Sequence, residues 1–282
     1  MARFKQITIV GLGLIGGSLG MAIRRRRLAR TVVGLSRTAA TLRAAKRRGA
    51  IDAGTTDPRR AIQGADLVVL ATPADTIVPL AKRLAWFMPR GSVLTDVGSV
   101  KGGIVRSLER AMPRGVAFVG AHPLAGSEQR GIAAARANLF DGSVCIMTAT
   151  SQTDARALKR VLGLWKPLVR RVVVMHPARH DRLLAAVSHV PHLIAFCLVN
   201  ATEDEARSLA PRSFLDATRV AQSDPALWDD ILLGNRAALL AAVGRFDRQW
   251  RVLRTQVAQG NRAALLRFLA SAQAKRDALQ DR

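Results

Sequence analysis

The chain has 282 residues, 49% of them hydrophobic, which is enough apolar material for one large core or two modest ones, and its length favours two domains. No run approaches the roughly eighteen uninterrupted apolar residues that a membrane span requires, and Met1-Ala2-Arg3-Phe4-Lys5 leads straight into a strand-like segment, so a cytoplasmic protein without a signal peptide is expected. The formal net charge of +24 would draw polyanions, but the positive residues are mostly scattered arginines, tyrosine is absent, and no zinc-finger spacing or RNP pattern accompanies them, so nucleic acid is not expected as a partner. The tight clusters, Arg24 to Arg27 and Lys46 to Arg48, suit helix ends, where cations oppose the negative end of the helix dipole. Cys145 and Cys197 stand alone in apolar surroundings, without a CxxC or a histidine at ligand spacing; both are expected to be packed, reduced thiols, and no metal is expected.

In chain order, short β-branched runs alternate with amphipathic stretches: Ile7 to Val10, Thr31 to Leu35, Leu67 to Ala71, Ser92 to Thr95 and Val116 to Val119. The pattern is a repeated βαβ unit, hence a mainly parallel sheet covered by helices on both faces. Two more strand candidates, Ser143 to Thr148 and Val169 to Val174, flank a helix from about Asp154 to Trp165. From His180 onward strand-like runs disappear, and successive helices rich in Ala, Leu and Arg are broken near Ala210-Pro211 and Ser223-Asp224-Pro225. An α/β domain over residues 1–178 followed by an all-α domain over 179–282 is therefore expected. Leu232, Leu233, Leu239, Leu240 and Val243 recur at helical spacing in greater number than one face needs, which points to burial across a subunit interface and a homodimer.

Immediately after the first strand comes Gly11-Leu12-Gly13-Leu14-Ile15-Gly16, a GxGxxG between strand and helix. Gly11 allows the tight turn, Gly13 lets the backbone approach a pyrophosphate, and Gly16 lets helix and strand pack closely. The pyrophosphate then rests on the N–H groups of the helix N-terminus, where Leu14 and Ile15 lie. This is the fingerprint of a Rossmann-type, doubly wound dinucleotide-binding domain. The place of the acidic residue that would meet the adenosine ribose is taken by Ser36-Arg37, and a hydroxyl followed by a guanidinium holds a 2′-phosphate that a carboxylate would repel. NADP is favoured over NAD on that ground. Thr72-Pro73, at the end of another strand, is expected to line the same cleft.

Asp96-Val97-Gly98-Ser99-Val100-Lys101 and Gly120-Ala121-His122-Pro123-Leu124-Ala125-Gly126-Ser127-Glu128 both follow strands, at the edge where ligands bind in this architecture. Together with Ser188-His189-Val190-Pro191-His192, Phe214-Leu215-Asp216-Ala217-Thr218-Arg219 and the segment from Ser223 to Asn235, they give the chain, over nearly its whole length, a pattern that resembles the prephenate/arogenate dehydrogenase family.

The resemblance implies an oxidative decarboxylation on the way to tyrosine, without a metal. It implies that His122 hydrogen-bonds the substrate ring hydroxyl and draws off its proton as hydride leaves for the nicotinamide, a task suited to a side chain whose unperturbed pKa lies near neutrality. Ser99 would orient that hydroxyl and His122, Arg219 would pair with a substrate carboxylate, and Ser127, Glu128 and His192 would complete the substrate pocket. His189, His176 and His180 are expected to be structural, the last with Asp181 near a helix start. Glu128 and His192 point to prephenate, whereas Ser36-Arg37 is a pair associated with NADP-linked arogenate members; arogenate use and a dual-specificity cyclohexadienyl dehydrogenase both stay open. The loop Ala210-Pro211-Arg212-Ser213 departs from the glycine-rich family pattern and is expected to be stiffer and more positive. With no regulatory domain expected, any product control is expected at the substrate pocket. Other two-domain dehydrogenases are disfavoured because the helical half has very few lysines to supply the catalytic lysine of the β-hydroxyacid group. A non-catalytic, NADP-sensing nucleic-acid binder has no need of the His122, Ser99 and Arg219 set.

Overall fold

The structure, a computed structural model, describes residues 4–127 and 129–279. Its strands are β1 (Phe4–Val10), β2 (Ala29–Leu35), β3 (Ala53–Thr55), β4 (Leu67–Leu70), β5 (Val93–Asp96), β6 (Ala117–Val119), β7 (Ala121–Pro123), β8 (Val144–Thr148) and β9 (Arg171–Met175). The first six form a parallel sheet in the order β3-β2-β1-β4-β5-β6, and the last three a small sheet in which β7 runs antiparallel to β8 and β8 parallel to β9. All the expected strands are present. The short β3 and β7 leave no mark in the sequence, because three residues display no period to read.

Helices α1 (Leu14–Arg25), α2 (Ala39–Arg47), α3 (Pro58–Ile62), α4 (Ala74–Ala85), α5 (Gly102–Glu109) and α6 (Ala155–Trp165) cover the large sheet. Every residue of β4 and of β5 is buried, as a parallel strand covered on both faces requires. One core contains Ile7, Ile9, Leu19, Ile23 and Trp165; the other contains Val10, Leu70, Ile77, Leu84 and Leu94. Strand order reverses between β2 and β4 on either side of β1, which opens a crevice at the carboxyl ends of β1 and β4.

The rest is helical: α7 (Pro177–Leu184), α8 (Val190–Ala201), α9 (Asp204–Ser208), α10 (Arg212–Thr218), α11 (Pro225–Gly234), α12 (Arg236–Ala258) and α13 (Arg262–Asp277). A π-helical turn, Ala185–His189, joins α7 to α8, and Pro191, which has no N–H to give to a carbonyl one turn back, marks the return to α geometry. The continuous stretch Pro177–Ala201 is long and apolar enough, by length and composition alone, to cross a membrane. It is a partly buried core helix: His180, Asp181 and His189 are buried in it and bonded inside the protein. Trp228 and Ile231 of α11 sink into the second core of the sheet domain, so the two halves share apolar surface.

Cys197 departs from expectation. Cys145 is buried, but Cys197 is exposed on α8, where only Val190 and Ala195 are buried. Apolar neighbours in sequence do not imply burial on a helix that is apolar around most of its circumference. Leu233, Leu240, Trp250, Val257 and Leu266 of α11 to α13 are likewise 53–64% exposed in the single chain.

Candidate active site

The glycine turn is built as its spacing implies. The Gly11 N–H donates to Leu35 O at 3.0 Å, which binds the turn to the end of β2 and sets Ser36 and Arg37 beside it; Ser36 is half-buried and Arg37 exposed. Gly11 has φ +90°, and a Cβ there would lie 2.5 Å from Ala71 O. A Cβ on Gly16 would fall 1.9 Å from Gly11 O, whereas one on Gly13 would meet nothing within 4 Å. Gly11 and Gly16 are thus demanded by packing, and Gly13 faces open space at the start of α1, which has neither a side-chain cap nor an acidic residue in its first turn. That opening beside a helix N-terminus fits the pyrophosphate of a dinucleotide. Thr72, half-buried, receives a hydrogen bond from Thr76 at 2.9 Å, and Pro73 is the N-cap of α4; both follow β4 on the other side of the crevice.

Asp96 ends β5 with no exposed surface and organises the neighbouring turns. One carboxylate oxygen accepts the Gly98 N–H at 2.9 Å and Lys101 Nζ at 2.5 Å, and the other accepts the Ala121 N–H at 3.3 Å. Ser99, half-buried, is therefore held between two anchored neighbours, and His122 follows directly on a third. His122 lies on β7 opposite Ile146 of β8 and is 9% exposed.

Its Nδ1 is 2.9 Å from His180 Nε2, and His180 Nδ1 is 2.8 Å from Asp181 Oδ1. Asp181 also accepts the backbone N–H groups of Lys101 at 2.9 Å and Gly102 at 2.8 Å. Helix α5 has no cap from its own segment; a carboxylate on α7 caps it from across the domain junction. Burial by itself would raise the Asp181 carboxyl, but the His180 bond and the two amides outweigh it and hold the group below its ordinary value. His122 is pushed well below the usual imidazole range, first by burial and then by His180, Lys101 and His189. His180 is lowered as well, burial outweighing the Asp181 hydrogen bond. Both rings are thus neutral at neutral pH.

On the helical side, His192 stacks on Trp228 with centroids 3.6 Å apart, and its Nδ1 bonds Ser188 O at 2.8 Å. Burial, and then the charge of Arg219, lower it, so the exposed Arg219 belongs to the same patch. His189 meets the other side of this cluster: it accepts a hydrogen bond from Asn235 Nδ2 at 3.2 Å, and Asn235 also donates to Asp181 O at 2.8 Å. Ser127 is exposed and accepts the Gln129 N–H at 3.2 Å; Glu128 lies outside the described residues. The His122 group is joined by these bonds, and His189 links it to the Trp228 and His192 cluster. Among the described residues no group of three or more His, Cys, Asp or Glu side chains could hold a metal.

A family model described as the nucleotide-binding domain of prephenate dehydrogenase matches residues 19–174, and one described as its dimerization domain matches residues 176–271. The chain belongs to the prephenate dehydrogenase family. Among its relatives, the cyclohexadienyl dehydrogenase of Zymomonas mobilis is 35% identical over 99% of this chain and 98% of its own length. The prephenate dehydrogenase of Bacillus subtilis is 33% identical over 97% of this chain and 76% of its own. The crystal structure of prephenate dehydrogenase from A. aeolicus, in complex with hydroxyphenyl propionate and NAD+, superposes with a TM-score of 0.92 at 32% identity, covering 99% of both chains.

As a prephenate dehydrogenase, an NAD(P)-dependent oxidoreductase, the chain carries more in its site than single motifs disclose. Nothing local in the sequence gives Lys101, Asp181 or Asn235 a role in the site, and His180 with Asp181 reads there as a structural pair. No spacing rule could reveal that His180 reaches His122 across 58 positions. A His-Asp pair near a helix start is too common to point anywhere, and only the docking of α7 on the β5 and α5 turn gives it meaning.

Proposed function

We propose that the protein catalyses the oxidative decarboxylation of prephenate to 4-hydroxyphenylpyruvate, with NADP favoured as acceptor, as a cytoplasmic homodimer. The observation that carries the reading is the buried imidazole of His122, 2.9 Å from His180 and following the carboxyl edge of the sheet that bears the glycine turn, with burial favouring its neutral form. The open face of Gly13 and the N-terminus of α1 would hold the pyrophosphate, Thr72 and Pro73 would line the cleft, and Ser36 with Arg37 would hold a 2′-phosphate. The nicotinamide supplies a hydride acceptor.

In this reading His122 takes the proton of the ring hydroxyl while the C–H electron pair leaves as hydride, and the O–H pair becomes part of a carbonyl. Loss of the ring carboxylate as CO₂ returns an electron pair to the ring, which becomes aromatic, and the proton held by His122 goes back to the oxygen. The histidine therefore acts first as base and then as acid, and no net proton is released. Ser99, held between Gly98 and Lys101, orients the hydroxyl. Arg219 pairs with a substrate carboxylate beside His192 on its Trp228 platform, Ser127 adds a hydroxyl from the segment after His122, and the family resemblance assigns Glu128 to the same substrate.

The exposed apolar side chains of α11 to α13 support a second copy as their cover, with the helical substrate and dimerisation domain taken from residue 179 onward. A second reading, dual use of prephenate and arogenate, draws support from the Zymomonas mobilis relative and from Ser36-Arg37. One assay separates the two: turnover of prephenate and of arogenate, each with NADP and with NAD, followed by the absorbance of the reduced cofactor. Prephenate with NADP is the expected best pair. Comparable turnover of both substrates establishes the dual reading, and no turnover in any combination by protein that binds nucleotide removes both.

A further inference from the structure

We propose that His180 and Asp181 are positioning residues that fix where the proton of His122 sits, holding it on Nδ1 and leaving Nε2 bare toward the substrate. The proposal rests on the reading of His122 as proton acceptor and adds the device that keeps it one. The assignment follows step by step from donors and acceptors. Two of the partners of Asp181 are backbone N–H groups, those of Lys101 and Gly102, which can only donate. These donors keep the carboxyl ionised, and an ionised carboxylate is acceptor-only, so His180 Nδ1, at 2.8 Å from Oδ1, is the third donor. A neutral imidazole carries one N–H, so His180 Nε2 presents a lone pair. His122 Nδ1, 2.9 Å away, must donate to it. By the same count, His122 Nε2 has no proton and can accept one.

The scaffold around this line is rigid. Asn235 holds the Asp181 carbonyl at 2.8 Å, Asp181 caps α5, and the Asp96–Lys101 pair ties the amide of Ala121, immediately before His122, to the turn that Asp181 caps. His180 has no exposed surface, so water cannot substitute for it. A histidine in reach of a substrate hydroxyl is a base only in one of its two tautomers, and the neighbour on the other nitrogen chooses between them. When His122 holds the substrate proton, the Asp181 carboxylate stabilises the imidazolium through the intervening His180 ring, as the aspartate of a serine-protease triad does without taking up the proton itself.

The test is NMR of the histidine ring nitrogens in the full-length protein, where five histidines keep the assignment tractable, together with turnover of His180→Leu and His180→Gln. The expected ring pattern is Nδ1 protonated and Nε2 bare for His122 in the wild type. His180→Leu removes the acceptor and should lower kcat by about 10²–10⁴ with KM and nucleotide affinity unmoved. His180→Gln, whose carbonyl can accept from His122 Nδ1, should restore most of that loss. A purely structural role would affect both variants alike and leave the ring pattern of His122 undetermined by residue 180.

A wild-type His122 protonated on Nε2 overturns the proposal, and this measurement needs no variant to fold. So does a loss of only a few-fold in His180→Leu. If the wild type shows the expected ring pattern but turns over neither prephenate nor arogenate, the relay geometry is supported and the assigned reaction fails.

Discussion

Asp96 and Lys101 form an ion pair at 2.5 Å in which neither side chain has any exposed surface. The carboxylate also accepts the Gly98 and Ala121 N–H groups, and the ammonium donates to the Val100 carbonyl at 3.0 Å, so the pair is embedded in the turns that carry Ser99 and His122. Removing one charge strands the other. Lys101→Met should cost about 3–5 kcal/mol of stability, and pairing it with Asp96→Asn should recover part of that loss, because a neutral pair leaves no unpaired buried charge. Urea unfolding of the two variants checks this; a Lys101→Met protein within about 1 kcal/mol of wild type would show that the pair is not closed to water.

Gly13 and Gly16 should respond differently to the same substitution. A methyl on Gly16 would collide with Gly11 O, so Gly16→Ala should destabilise the first βα unit by about 1–3 kcal/mol. Gly13→Ala meets nothing within 4 Å and should melt like wild type, yet lose nucleotide affinity because the methyl occupies the approach of the pyrophosphate. Thermal melts and nucleotide titration of both proteins decide it. Unchanged affinity in a folded Gly13→Ala protein would move the pyrophosphate elsewhere.

Arg37 follows β2 next to the Gly11 turn and is exposed. A charge-assisted hydrogen bond of about 1.5–3 kcal/mol to a 2′-phosphate corresponds to roughly 10–100-fold in affinity. Arg37→Ala should weaken NADP by that factor and leave NAD nearly unchanged. Equal effects on the two nucleotides, measured by titration, would return the cofactor preference to NAD.

Acid should loosen the domain junction before it protonates exposed carboxylates. Burial, with His180 and His192 adding to it against the pull of Asp181, lowers His189 to about 4, while in the unfolded chain it would titrate near 6.5. Between those values the unfolded chain binds the extra proton. Stability is therefore complete above about pH 6.5 and falls as pH drops toward 4, by about 1–3 kcal/mol for His189 alone. His122 and His180, also lowered, act in the same direction, and the depressed carboxyl of Asp181 extends the loss below the ordinary carboxylate range. Denaturant midpoints measured from pH 7 to pH 4 should decline steadily; a flat profile would mean that these histidines are not held neutral by the fold.

Local chemistry wrote much of this protein into its sequence. The β-branched runs, the glycine spacing after β1 and the loss of strand signal beyond His180 each reflect forces acting within a few residues, and the parallel sheet and helical second half follow from them. Ser36-Arg37 and His122 stood out because their residue types suit one chemistry at one place in a βα unit. Other features depended on distance. Cys197 and its apolar neighbours carry no local sign of which helix face the single chain leaves uncovered. The Asp96–Lys101 pair, the capping of α5 by Asp181 and the contact of His180 with His122 arise only when α7 packs against the end of the sheet. Hydrogen bonds between groups far apart in the chain leave no period or spacing to read, so the sequence determined which groups were available, and tertiary packing decided which of them share a proton.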